Sequence, residues 1–188
     1  MGILTRSFFE QDTLTVAREL LGKKLVRSLD GQILSGMIVE TEAYIGTTDT
    51  ACHASKGKTP RNAVMFGKAG IAYIYFVYGM HYMLNVVTEA EDKPCAVLIR
   101  AIMPVEGRAD MENRRKRSGK NLTDGPAKVC QAMGINKSLN GWDLTRGESL
   151  GIEEYQIISS ERIHQTPRIG INYAAQKDKD ALWRFQVG

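Results

Sequence analysis

The feature that most constrains this chain is a long segment without acids. Between Thr50 and Thr88 there is no Asp or Glu, although the sequence carries 21 acids in 188 residues. Lys56, Lys58, Arg61 and Lys68 lie inside that gap, together with four of the seven tyrosines, Tyr73, Tyr75, Tyr78 and Tyr82. Two apolar runs, 73–77 and 82–87, close the segment and meet at Tyr78-Gly79-Met80-His81, which reads as a β-hairpin. Ahead of it stands Ile38-Val39-Glu40-Thr41-Glu42-Ala43-Tyr44, a strand that carries carboxylates. A carboxylate strand feeding a basic, aromatic segment suits a polyanion with flat bases better than other common ligands.

The rest of the chain supplies an ordinary frame. Its length predicts one domain, 1–188, with a core large enough to stand without staples. A net charge of +4 makes the evidence for a nucleic-acid partner local rather than global. Cys52, Cys95 and Cys130 are odd in number and none forms a CxxC pair, so reduced thiols are expected, with no metal site and no cofactor. The N-terminal stretch from Met1 to Arg6 lacks the apolar core of a signal peptide, and no apolar run approaches a membrane span. A cytoplasmic protein without a membrane partner follows. A monomer is expected too, since no long exposed apolar helix is in view.

Asp12-Thr13 caps a predicted helix that ends near Gly22. Strands are predicted over 24–26 and 33–44, either side of an Asp30-Gly31 turn, and over 96–102, ending at Pro104. Further helices are predicted over 103–120 and, after Gly125-Pro126, over 127–133. Residues 45–70 and 134–151 read as loop, and 155–159 and 183–187 as closing strands. Short connections favour hairpins, so the fold class is mixed α+β (α/β), with a largely antiparallel sheet and three helices.

Several residues invite a chemical reading beside a plainer one. An exposed Tyr78–Met80 tip suits a wedge between stacked bases; the alternative is that another segment folds over the tip and buries it. Glu40 and Glu42 share a strand face about 7 Å apart. They suit an acid/base pair for sugar hydrolysis, one catalytic Glu beside a structural partner, or simply an exposed face. Tyr44 continues that face, which raises the odds of a pocket. Arg100, closing an apolar strand, needs a carboxylate if buried, and either Glu can supply it. His53 reads as a hydrogen-bonded loop residue, and Asn85 as a polar group paired in the core or aimed at a ligand.

The order of these motifs resembles the alkyladenine (3-methyladenine) DNA glycosylase family. VETEAY, His53, the TPRN loop, YIYFVYGMHYMLN, VLIRA, GPAKVCQAMGINKS and TPRIGI are collinear with it over about residues 8–187. The resemblance implies a compact α/β domain with a curved sheet and a protruding hairpin that inserts into double-stranded DNA containing damaged purines. By it, Glu42 would activate water, Arg100 and the Ile169 carbonyl would hold that water, and Tyr44, His53 and Tyr75 would form the base pocket. Tyr78, with Met80 beside it, would fill the gap left by the extruded nucleotide, and Asn85 would police the pocket floor. His81 departs from the mammalian members, which have Tyr there. Without a lysine nucleophile in this arrangement, base release without strand cleavage is expected. A lesion-binding protein without catalysis and a carbohydrate hydrolase using Glu40 and Glu42 stand as the competing functions.

Overall fold

The computed structural model describes residues 2–188; Met1, at the head of the N-terminal stretch, lies outside them. Eight strands form one sheet: β1 (Lys24–Leu29), β2 (Gln32–Ile45), β3 (Ala72–Val77), β4 (His81–Thr88), β5 (Cys95–Glu106), β6 (Leu150–Glu153), β7 (Ile163–Thr166) and β8 (Arg184–Val187). The main path runs β3-β4-β5-β2-β1-β6, with β8 on β2 and β7 on β8, and every pairing is antiparallel. Five α-helices flank it: α1 (Arg6–Phe9), α2 (Thr13–Glu19), α3 (Arg108–Arg115), α4 (Pro126–Ala132) and α5 (Gln176–Asp180). Asp12 caps α2 as expected, its carboxylate accepting from the Leu14 and Thr15 amides. No described helix is long and apolar enough to cross a membrane.

Strand alternation divides the sheet into two faces. Ala43, Ile74, Leu84, Val86, Val97 and Ile99 point into the main core, where α2 and α4 pack with Val16, Leu20, Val129 and Met133. The alternate positions, Tyr44, Tyr73, Tyr75, Val87 and Ala96, belong to or pack on a second cluster around Cys52 and Met65. Registers Glu42↔Leu98, Asn85↔Leu98 and Tyr73↔Asn85 carry that second face across four strands. β4 pairs with β5 only over Asn85–Thr88, so the β3–β4 hairpin projects beyond its neighbour.

Three sequence expectations are corrected. The helix expected over 103–120 is strand up to Glu106, then a turn at Gly107, then α3 alone. Pro104 is tolerated inside β5 because β4 has stopped pairing there, so one side of the strand no longer needs its amides. Gly107 makes the sharp junction: its φ is 69°, and a Cβ would stand 2.4 Å from Leu34 Cδ2. The 155–159 strand does not form. Glu153 pairs with Lys24, the first residue of β1, and beyond it the Gln156 amide still bonds to the Gly22 carbonyl, but no ladder follows. Closure falls instead to β6, β7 and β8. Finally, five helices replace the expected three, two of them scarcely more than a turn.

Candidate active site

The second face of the sheet floors a cleft of about 690 Å³, lined by Tyr44, Tyr73, Tyr75, Asn85 and Arg100 from the strands. The 3-10 turn His53–Lys56 adds His53, and the loop after β7 adds Ile169 and Tyr173.

Behind that lining lies Glu42, fully buried. Its Oε1 accepts from the Ile169 amide at 2.8 Å and lies 3.3 Å from Arg100 Nη1. Its Oε2 accepts from the Tyr44 hydroxyl at 2.8 Å. A buried carboxylate needs such partners, since burial without them costs several kcal/mol. Glu42 itself does not line the cleft; the three groups that hold it do. Burial, then the neighbouring Glu42 carboxylate, pushes the Tyr44 phenol well above its ordinary range, so it stays a neutral donor.

Glu40 is held differently. Its Oε1 accepts from Arg100 Nε at 2.8 Å and from Arg184 Nε at 2.6 Å. Both glutamates thus flank one guanidinium. A sugar hydrolase of the inverting kind needs open space for water between its two carboxyls, whereas here the Arg100 guanidinium contacts both.

Tyr75 and His53 meet edge to face with centroids 4.4 Å apart, and His53 Nδ1 shares a 2.9 Å hydrogen bond with the Tyr73 hydroxyl. Burial, with Arg61 adding to it, lowers His53 to about 4, so at neutral pH the imidazole carries no charge into the cleft. Burial raises Tyr73 to about 12, and Tyr75 higher still. Asn85 is buried, and its side-chain amide donates to the Tyr73 carbonyl at 3.2 Å, which fixes its orientation at the cleft floor.

The hairpin tip is uncovered. Tyr78 is 85% exposed and Met80 68%, so the alternative, that another segment folds over the tip and buries it, fails. Tyr78 and Gly79 both have positive φ, 52° and 68°, and the Met80 amide bonds back to the Val77 carbonyl. That is the tight turn whose twist matches a hairpin, with glycine at one of the two left-handed positions and a tyrosine at the other, where it is uncommon.

One element has no counterpart in the sequence reading. Arg168 is buried and clasps Asp49 with two bonds, 2.6 and 2.9 Å, while donating to the carbonyls of Ala43 and Asp178. Its guanidinium carbon lies 4.8 Å from the centroids of both Tyr44 and Trp183. This clasp mounts the loop from which the Ile169 amide reaches Glu42. The only sequence signal was an arginine between Pro167 and Ile169, with no hint of a partner 119 residues away.

Comparison with known proteins agrees with this arrangement. The family described as methylpurine-DNA glycosylase (MPG) matches residues 7–188. A protein of Methanocella arvoryzae is 49% identical over 98% of this chain and 92% of its own length. Others from Desulfitobacterium hafniense and Prosthecochloris aestuarii are each 50% identical over 100% of this chain, covering 96% and 88% of theirs. All three carry the name "Putative 3-methyladenine DNA glycosylase". With its whole sheet, cleft and hairpin inside the matched span, this chain belongs to the methylpurine-DNA glycosylase family.

Proposed function

We propose that the protein is a monofunctional DNA glycosylase that extrudes a damaged purine from duplex DNA into the cleft. It then hydrolyses the N-glycosidic bond and leaves an abasic site. The observation that carries this reading is the fully buried Glu42, held by an arginine and a backbone amide directly behind an aromatic wall. Departure of a purine leaves an oxocarbenium-like sugar, and a carboxylate beside that sugar both stabilises the charge and deprotonates the attacking water.

With its present contacts Glu42 is closed to water, so one of them must yield. Withdrawing Arg100 would strand buried charge, and the Ile169 amide is fixed through Arg168 and Asp49. Tyr44 is the partner that can leave without stranding a charge, and its ring lines the cleft where an entering base would stack. In this account the base displaces the Tyr44 hydroxyl. Water then takes its place on Glu42, with Arg100 and the Ile169 carbonyl holding it.

Alkylation at a ring nitrogen makes the purine cationic and a better leaving group. Tyr44 and Tyr75 offer ring faces to such a cation, and a neutral His53 does not repel it. Asn85, fixed at the floor, clashes with the 2-amino group of guanine and tolerates adenine-like bases. Tyr78 enters the space the nucleotide vacates, with Met80 beside it, and lowers the cost of flipping. The partner is double-stranded DNA. The direct test is incubation with alkylated duplex DNA: free base with an intact strand is expected. Tight lesion binding without base release would leave only the non-catalytic binder.

A further inference from the structure

Half of the exposed large apolar side chains stand on the hairpin and on the loop that borders the cleft. Phe76, Tyr78 and Met80 stand on the hairpin, while Ile169 and Tyr173 stand on the loop that mounts the Glu42 contact. Exposed apolar surface gathered in one place marks an interaction site, and Tyr173 is the member that neither packing nor chemistry explains. It is 70% exposed and belongs to no core cluster, although its neighbours Ile171 and Ala174 do. Its backbone is nevertheless fixed: the Ala174 amide bonds to the Ile171 carbonyl, and the Ala175 amide bonds to Thr50 Oγ1. Its hydroxyl is committed as well, donating to the Ala51 carbonyl at 3.0 Å. Burial raises its titration, and Tyr78 lines the same cleft.

A rigidly mounted tyrosine whose polar end is already occupied offers a ligand only the face of its ring. Bases entering the cleft have Tyr44 and Tyr75 to stack on, deeper in. What passes the rim is the sugar, drawn past Ile169 towards Glu42. Building on the glycosylase reading, we infer that Tyr173 is a second DNA-contacting aromatic, whose ring packs on the deoxyribose of the extruded nucleotide. A preorganised ring makes that contact with little loss of side-chain freedom.

The test uses two duplexes of one sequence, one undamaged and one with a central abasic site, which presents the extruded sugar without a base. Tyr173→Ala should weaken abasic-duplex binding about tenfold, the size of one aromatic contact, while undamaged-duplex binding changes less than about twofold. Tyr173→Phe, which keeps the ring, should stay within about threefold of wild type on both. No loss for Tyr173→Ala, or an equal loss on both duplexes, overturns the inference and leaves the glycosylase reading standing. A wild-type protein that shows no preference for the abasic duplex would also overturn the inference, whereas the glycosylase reading itself falls only if no free base is released from alkylated duplex.

Discussion

Glu42 and Tyr78 serve one cleft and are built in opposite ways. Glu42 is fully buried, with every contact a hydrogen bond or ion pair, and its mount is stiffened by a second buried ion pair at Arg168 and Asp49. Tyr78 is 85% exposed, on a turn of positive φ, with nothing packed over it. The contrast assigns two kinds of work. A buried network fixes a charge where a reaction needs it, at the cost of desolvation. A bare aromatic tip spends solubility to hold surface ready for a partner. Substitutions in the first region should therefore change chemistry and stability, and substitutions in the second should change only what happens on DNA.

The largest effect is expected at Glu42. Glu42→Gln should slow single-turnover base release by about 10²–10⁴-fold, the range for losing a general base. Glu40→Gln should cost far less rate and more stability, because Glu40 serves Arg100 and Arg184, whereas Glu42 stands behind Tyr44, whose departure would open it to water. The reverse ranking would show the wrong carboxylate to have been assigned. Next comes the mount. Asp49→Asn strands the buried Arg168 guanidinium, and breaking a buried pair costs about 3–5 kcal/mol. Chemical denaturation should read that loss; a change under about 1 kcal/mol would mean that the pair contributes little.

Tyr78→Ala should leave thermal stability unchanged, since nothing packs on the ring. Base–aromatic stacking of about 1–3 kcal/mol sets the loss of excision at roughly one to two powers of ten for a paired lesion, and less opposite a mismatch. A drop in Tm would contradict the free-tip account. Tyr44→Phe sharpens the contrast from the other side. If the hydroxyl only covers Glu42 until a base arrives, release should stay within about tenfold of wild type. A loss beyond a hundredfold would give that hydroxyl a part in the reaction.

A separate effect is expected in pH dependence. His53 falls from 6.5 in the unfolded chain to about 4 in the fold. Between those values the unfolded chain takes up a proton that the folded chain refuses. Stability from this group is therefore undiminished above pH 6.5, declines as pH falls towards 4, and then levels off. Melting curves of wild type and His53→Gln should diverge less at pH 4.5 than at pH 7. Parallel curves across that window would show that folding leaves the proton affinity of the imidazole unchanged.

Part of the cleft is legible in the sequence because β-structure has a period of two: Glu42 and Tyr44 fall on one strand face, and an apolar strand ending in Arg100 requires a carboxylate. His53, Tyr75 and Asn85 enter the pocket only through the family resemblance, and Tyr73 is not placed there at all. The local rule failed where partners decide. Residues 103–106 read as the start of a helix, with Pro104 in its first turn, yet they stay extended because β2 offers a pairing edge. Residues 155–159 look like a strand, yet the Gln156 amide meets only the turn at Gly22 and no ladder forms. The Arg168–Asp49 clasp was invisible for the same reason. It joins two loops, and loops carry no periodicity from which a contact could be inferred.

The most direct test sets the two regions side by side in one assay: single-turnover base release and lesion-duplex affinity for Glu42→Gln and Tyr78→Ala, with one lesion placed both in a paired duplex and opposite a mismatch. The account predicts that Glu42→Gln keeps wild-type affinity and loses release in both contexts. It predicts that Tyr78→Ala loses affinity and release in the paired duplex, and recovers most of both opposite the mismatch. Release by Glu42→Gln at the wild-type rate in either context would contradict the claim that this buried carboxylate performs the chemistry.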